Sequence, residues 1–122
     1  MRRVLLAALA LFASPALAHP AVLSAQPADG ASTGPVSQLS ITFSEPLVAA
    51  LSGIDLLMTG MPGMDHHQPM KMTGVKTSLA ADGATLVARL PRPLPAGTYE
   101  AGWHAASSEA HRTSGKLAFS VK

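Results

Sequence analysis

The sequence predicts an all-β domain, folded as a sandwich or small barrel. Three observations predict it. Short runs alternate between apolar and polar residues, Pro- and Gly-rich turn signals separate them, and no long amphipathic helical stretch competes with them. "QLSITFSE" puts Leu39, Ile41 and Phe43 on one face and Ser40, Thr42 and Ser44 on the other. "LVAAL" allows one helical turn. "SGIDLLM" gathers Ile54, Leu56 and Met58 on one parity, and "TLVARL" gathers Leu86, Ala88 and Leu90. In "GTYEAGWHA" the shared face is Tyr99, Ala101, Trp103 and Ala105, with His104 on the solvent side. "KLAFSV" closes the set with Leu117, Phe119 and Val121. The segments "PADG", "TGP", "ADG", "PRPLPAG" and "RTSG" read as the intervening turns.

The chain has 122 residues, enough for one domain and a modest core. Its first residues have a separate purpose. Arg2 and Arg3 precede the apolar run "VLLAALALFA", and "ALA" at 16–18 offers small residues at a cleavage site. This pattern predicts a signal peptide over 1–18, removed to leave a mature chain of 19–122 outside the cytoplasm. Without Arg2 and Arg3, the nine basic residues fall to seven, against seven acidic ones. A neutral domain with few aromatics offers no basic stripe for nucleic acid. No second apolar run reaches the length of a membrane span. Cysteine is absent, so the domain must fold without disulfides.

Five of the six methionines lie in the window "MTGMPGMDHHQPMKM", residues 58–72, with two adjacent histidines. Met58, Met61 and Met64 have a spacing that would make an apolar helical stripe. However, Gly60, Pro62, Gly63 and Pro69 break a helix and favour a loop. A loop of this composition has no core of its own in which to bury several large side chains. Met58 also continues the parity of Ile54 and Leu56, so core packing and ligation compete there. Thioether sulfur is soft and needs no deprotonation, which suits Cu(I), with imidazole as a mixed partner. Zinc prefers thiolate, imidazole and carboxylate. A Met-rich surface could also bind peptides, a reading that leaves the two histidines unexplained.

A second set of donors is spread along the chain. Cleavage after Ala18 would make His19 the N-terminus, where amine and imidazole form a compact nitrogen chelate. Nitrogen and oxygen donors suit Cu(II). Glu109 and His111 sit two residues apart on the turn before the last strand, and Glu45 ends the "FSE" run with the parity of Phe43. Taken one at a time, each reads more simply as a surface carboxylate or a turn histidine.

Taken together, "HPAVLSAQPADGA", "LSITFSEPL", "MTGMPGMDHHQPM", "LPAGTYEAGWHAASSEAH" and "SGKLAFSVK" resemble the CopC family of periplasmic copper-resistance proteins, over essentially the whole mature chain. The resemblance implies an immunoglobulin-like Greek-key β-sandwich or barrel of about seven strands. It also implies a soluble, monomeric copper carrier of the periplasm with no catalytic activity. Its Cu(II) site would comprise His19, Glu45, Glu109 and His111. Its Cu(I) site would comprise Met61, Met64, His66 and Met70, with Met58 as a further ligand and His67 competing with His66; Met72 is an additional candidate without a clear counterpart in the family. Glu109 stands where the family has Asp, and "DHHQPM" carries an extra residue. The implied partners are copper ions and a recipient, either a membrane copper importer or a multicopper oxidase. Two other functions compete. A histidine-brace copper enzyme would use the N-terminal amine, its imidazole and a second His; a β-sandwich interaction module would bind no metal.

Overall fold

The structure, a computed structural model, describes residues 20–64, 68–109 and 111–122. The expected leader, His19, His66 and His67 lie outside the described residues. Within them are nine strands and one short 3-10 turn: β1 (Val22–Gln26), β2 (Ser32–Thr33), β3 (Gln38–Phe43), the turn Ala49–Leu51, β4 (Gly53–Gly60), β5 (Met70–Lys71), β6 (Lys76–Leu79), β7 (Thr85–Arg89), β8 (Gly97–Ala106) and β9 (Arg112–Val121). β2 and β5 have two residues each, which leaves seven strands of four or more. They form a four-stranded sheet in the order β1-β3-β7-β6 and a five-stranded sheet in the order β2-β9-β8-β4-β5.

Alternation sets which side chains fill the space between the sheets. Leu39, Ile41 and Phe43 of β3 and Leu86 and Ala88 of β7 face Ile54, Leu56 and Met58 of β4. Tyr99, Ala101 and Ala105 of β8 and Leu117, Phe119 and Val121 of β9 complete the core. These are the faces expected from the sequence. Burying a Leu, Ile or Phe side chain contributes about 1.5–3 kcal/mol, and this cysteine-free domain relies on that packing.

Two aromatic residues lock the sheet ends. The Tyr99 hydroxyl donates to the Pro95 carbonyl at 2.6 Å and pins the loop that enters β8. Burial raises the pKa of that hydroxyl. A tyrosine bonded back to the chain a few residues upstream is also a feature of immunoglobulin sandwiches. Trp103 packs edge-on against Phe43, with ring centroids 5.1 Å apart.

One turn signal was misleading. "RTSG" is not a turn but the start of β9, where Ser114 pairs with His104 and Gly115 with Trp103. Gly115 is there for space: a Cβ would lie 2.5 Å from Cζ2 of the Trp103 ring. The methionine window is also less of a loop than its breakers suggest. Met58 lies inside β4, and Met70–Lys71 return as β5 alongside it.

Candidate functional site

The described members of the two donor sets lie at opposite ends of the sandwich. β8 runs ten residues from Gly97 to Ala106, and at about 3.3 Å per residue it holds its ends about 30 Å apart. At one end, Gly60 pairs with Thr98, and the methionine segment follows directly. At the other end Ser107, just past β8, bridges Leu47 just past Glu45.

At the methionine end, β4 leads into the four residues Met61-Pro62-Gly63-Met64. Met61 N donates to Met64 O at 2.9 Å, and Met64 N donates back to Met61 O at 2.8 Å. Proline presets φ for the second residue, and Gly63 takes φ +80°, a value that suits glycine at the third. The result is a type II turn. Directly opposed residues of an antiparallel pair project to the same side, so the turn presents the Met61 and Met64 side chains together. Both are exposed, at 37% and 52%. Met70 is 53% exposed on β5, opposite Met58. Met58 itself is buried in the core, and Met72 is half-buried against it, held by a bond from its N–H to Leu56 O. The structure therefore divides the five methionines into three exposed residues and two packed ones.

The carboxylate end is built where the chain enters the fold. Ala21 N donates to Ser44 Oγ, and Ser44 N donates to Ala21 O, which ties the start of the described chain to the residue before Glu45. Glu45 is half-buried. With Pro46, Ser107, Ser108 and Glu109 it lines a cleft of about 180 Å³. The turn after β8 is closed by a bond from Ser107 N to His111 O. It brings His111 Nδ1 to 3.9 Å from Glu109 Oε2. At that length and exposure the contact adds little stability. Glu45, Glu109 and His111 are thus neighbours at one rim, although no group of three His, Cys, Asp or Glu among the described residues closes on a single point. His104 is exposed on the outer face of β8, with its ring lying over Gly53.

Sequence reasoning passed over Ser107. Its residue is 3% exposed, and its hydroxyl has no hydrogen-bond partner among the described residues. No pattern in "AASSEAH" marks the first serine as the buried one.

Chemically, the exposed thioethers can hold a soft ion without losing a proton. The carboxylates and imidazole offer harder oxygen and nitrogen donors.

Comparison with known proteins gives consistent matches. A family model described as the CopC domain matches residues 22–122. A protein from Pseudomonas syringae pv. tomato named Copper resistance protein C is 41% identical over 118 residues, covering 97% of this chain and 92% of its own. One of the same name from Escherichia coli is 43% identical over 108 residues, covering 88% and 84%. The crystal structure of PcoC, described as a methionine-rich copper resistance protein from Escherichia coli, superposes with a TM-score of 0.77 at 36% identity, over 85% of this chain and 99% of that one. CopC from Methylosinus trichosporium OB3b shares the fold, with a TM-score of 0.70 at 22% identity, over 85% and 94%.

Proposed function

The chain belongs to the CopC family, and we propose that it is a periplasmic copper-binding protein with two sites of opposite chemical character. Residues 1–18 serve as a cleaved signal peptide. The mature protein, a monomer starting at His19, carries or buffers copper for resistance and performs no catalysis. The single observation that best supports this reading is the segregation of the described soft and hard donors to opposite ends of one sandwich, whose strand β8 spans about 30 Å at the rise of a β-strand.

Cu(I) is held by Met61, Met64 and Met70, with His66 as the nitrogen ligand and His67 as its competitor. Met58 and Met72 pack beneath the site and hold β4 and β5 in register. Cu(II) is held by the amine and imidazole of His19, by His111 and by the carboxylates of Glu109 and Glu45. Glu109 reaches one methylene further than Asp would, and the exposed turn gives it room to adjust. Oxidation state then decides which end is loaded, and ligand exchange passes copper to a membrane importer or a multicopper oxidase.

The test is copper titration of three forms: the mature protein, a form retaining one residue before His19, and the triple variant Met61→Leu, Met64→Leu, Met70→Leu. The extended form should lose Cu(II) affinity and keep Cu(I). The triple variant should do the reverse. Parallel loss of both ions in either form would defeat the two-site proposal.

A further inference from the structure

Ser107 is the one buried polar residue among the described residues, and its position is costly. A buried hydroxyl without a partner costs about 1–3 kcal/mol relative to a satisfied one. Packing does not require it. The two preceding residues, Ala105 and Ala106, are fully buried alanines, so a methyl group fits this end of the strand. Nor does the backbone require it. Ser107 N is already bonded to His111 O, and the residue bridges Leu47.

What sets Ser107 apart is the cleft. It shares the wall with Glu45 and Glu109, whose carboxylates can only accept hydrogen bonds when ionised. Glu109 stands in solvent, with its side chain 79% exposed, and can complete its hydrogen bonding with water. Glu45 is half-buried and has less water to draw on.

On this basis we infer that Ser107 is a positioning residue for Glu45 in the Cu(II) site. The inference rests on the two-site reading above. With one carboxylate oxygen of Glu45 given to the ion, the other would have less water to draw on in the cleft. The Ser107 hydroxyl donates to that second oxygen and fixes the orientation of the first. Hydrogen bonds of this outer-shell kind typically change metal affinity by about 10–100-fold. In the copper-free protein no described side-chain or backbone group bonds the hydroxyl, so part of the fold's stability is given up to preorganise the site.

The test is Ser107→Ala in the mature protein beginning at His19. Because the variant removes an unsatisfied group, the copper-free form should melt at the same temperature as the parent or higher. Its Cu(II) affinity should fall about 10-fold or more, with a changed Cu(II) electron paramagnetic resonance spectrum and unchanged Cu(I) affinity. Combined with Glu45→Ala, which removes the acceptor altogether, the losses should be less than additive, because both changes break one interaction. An unchanged Cu(II) affinity and spectrum, or fully additive losses, would overturn the inference. So would a lower melting temperature of the copper-free variant, which would mean that the hydroxyl is already bonded without metal. If the parent protein itself binds no Cu(II), the two-site reading fails and takes this inference with it.

Discussion

Replacing Gly63 by alanine isolates the geometry of the methionine turn from its chemistry. All sulfurs remain, and a Cβ at Gly63 meets nothing within 4 Å, so no clash follows. The cost is purely conformational. Gly63 sits at φ +80°, and holding an L-residue with a side chain in the left-handed region costs about 1–2 kcal/mol. If the free loop relaxes out of the type II turn, that cost is due again when Cu(I) draws Met61 and Met64 together. It then appears as weaker apparent affinity, by about 5- to 30-fold. Competition for Cu(I) against a chelator of known affinity, under anaerobic conditions, measures it. Gly83→Ala is the control. Gly83 has φ +71° and equally open surroundings, but lies in the hairpin turn before β7. It should lower stability without touching Cu(I). Unchanged Cu(I) affinity together with unchanged stability in Gly63→Ala, or an equal loss of Cu(I) affinity in both variants, would refute the idea that the turn presets the sulfur pair.

Other outcomes follow from the same structure. Met58→Leu should cost less than about 1.5 kcal/mol of stability and leave Cu(I) affinity intact, because Met58 is a core residue and the swap conserves volume; denaturant titration and Cu(I) competition check the two halves. Gly115→Ala should destabilise the fold by about 1–3 kcal/mol, because its Cβ would displace the Trp103 ring from Phe43; thermal unfolding followed by tryptophan fluorescence reads it. Asp82 accepts hydrogen bonds from the backbone of Ala84 and from the backbone and side chain of Thr85, which lower its pKa below the ordinary carboxylate value. A carboxyl with a depressed folded pKa contributes stability above its unfolded pKa and loses it as pH falls through the folded one. The stability difference between the parent and Asp82→Asn should therefore be constant near neutrality and shrink as pH falls below the ordinary carboxylate range.

The strands that alternate cleanly were legible in the sequence, and their inward faces are those observed: Leu39, Ile41 and Phe43, or Leu117, Phe119 and Val121. Those strands carry one apolar face, and period-two patterning encodes that directly. β1 was not legible. Its residues are mostly exposed, and it is held by pairing with β3 and by the Ala21–Ser44 bonds rather than by a buried face. "RTSG" misled because Gly115 looks like punctuation until the Trp103 ring is placed above it. For the candidate site, the residue types were legible but their arrangement was not. Parity tells which face a side chain takes, whereas its height along the sheet depends on register. Only the pairing of Gly60 with Thr98, and of Leu47 with Ser107, separates the two donor sets. The unpartnered Ser107 left no trace in the sequence, because an unmet hydroxyl is a property of its surroundings.

The most direct test of the two-site account is X-ray absorption at the copper edge, on mature protein loaded first with one equivalent of Cu(I) and, separately, with one of Cu(II). The account predicts a sulfur shell around Cu(I), and around Cu(II) only nitrogen and oxygen scatterers with imidazole signatures. Sulfur around Cu(II), or the same nitrogen and oxygen shell around both ions, would contradict it.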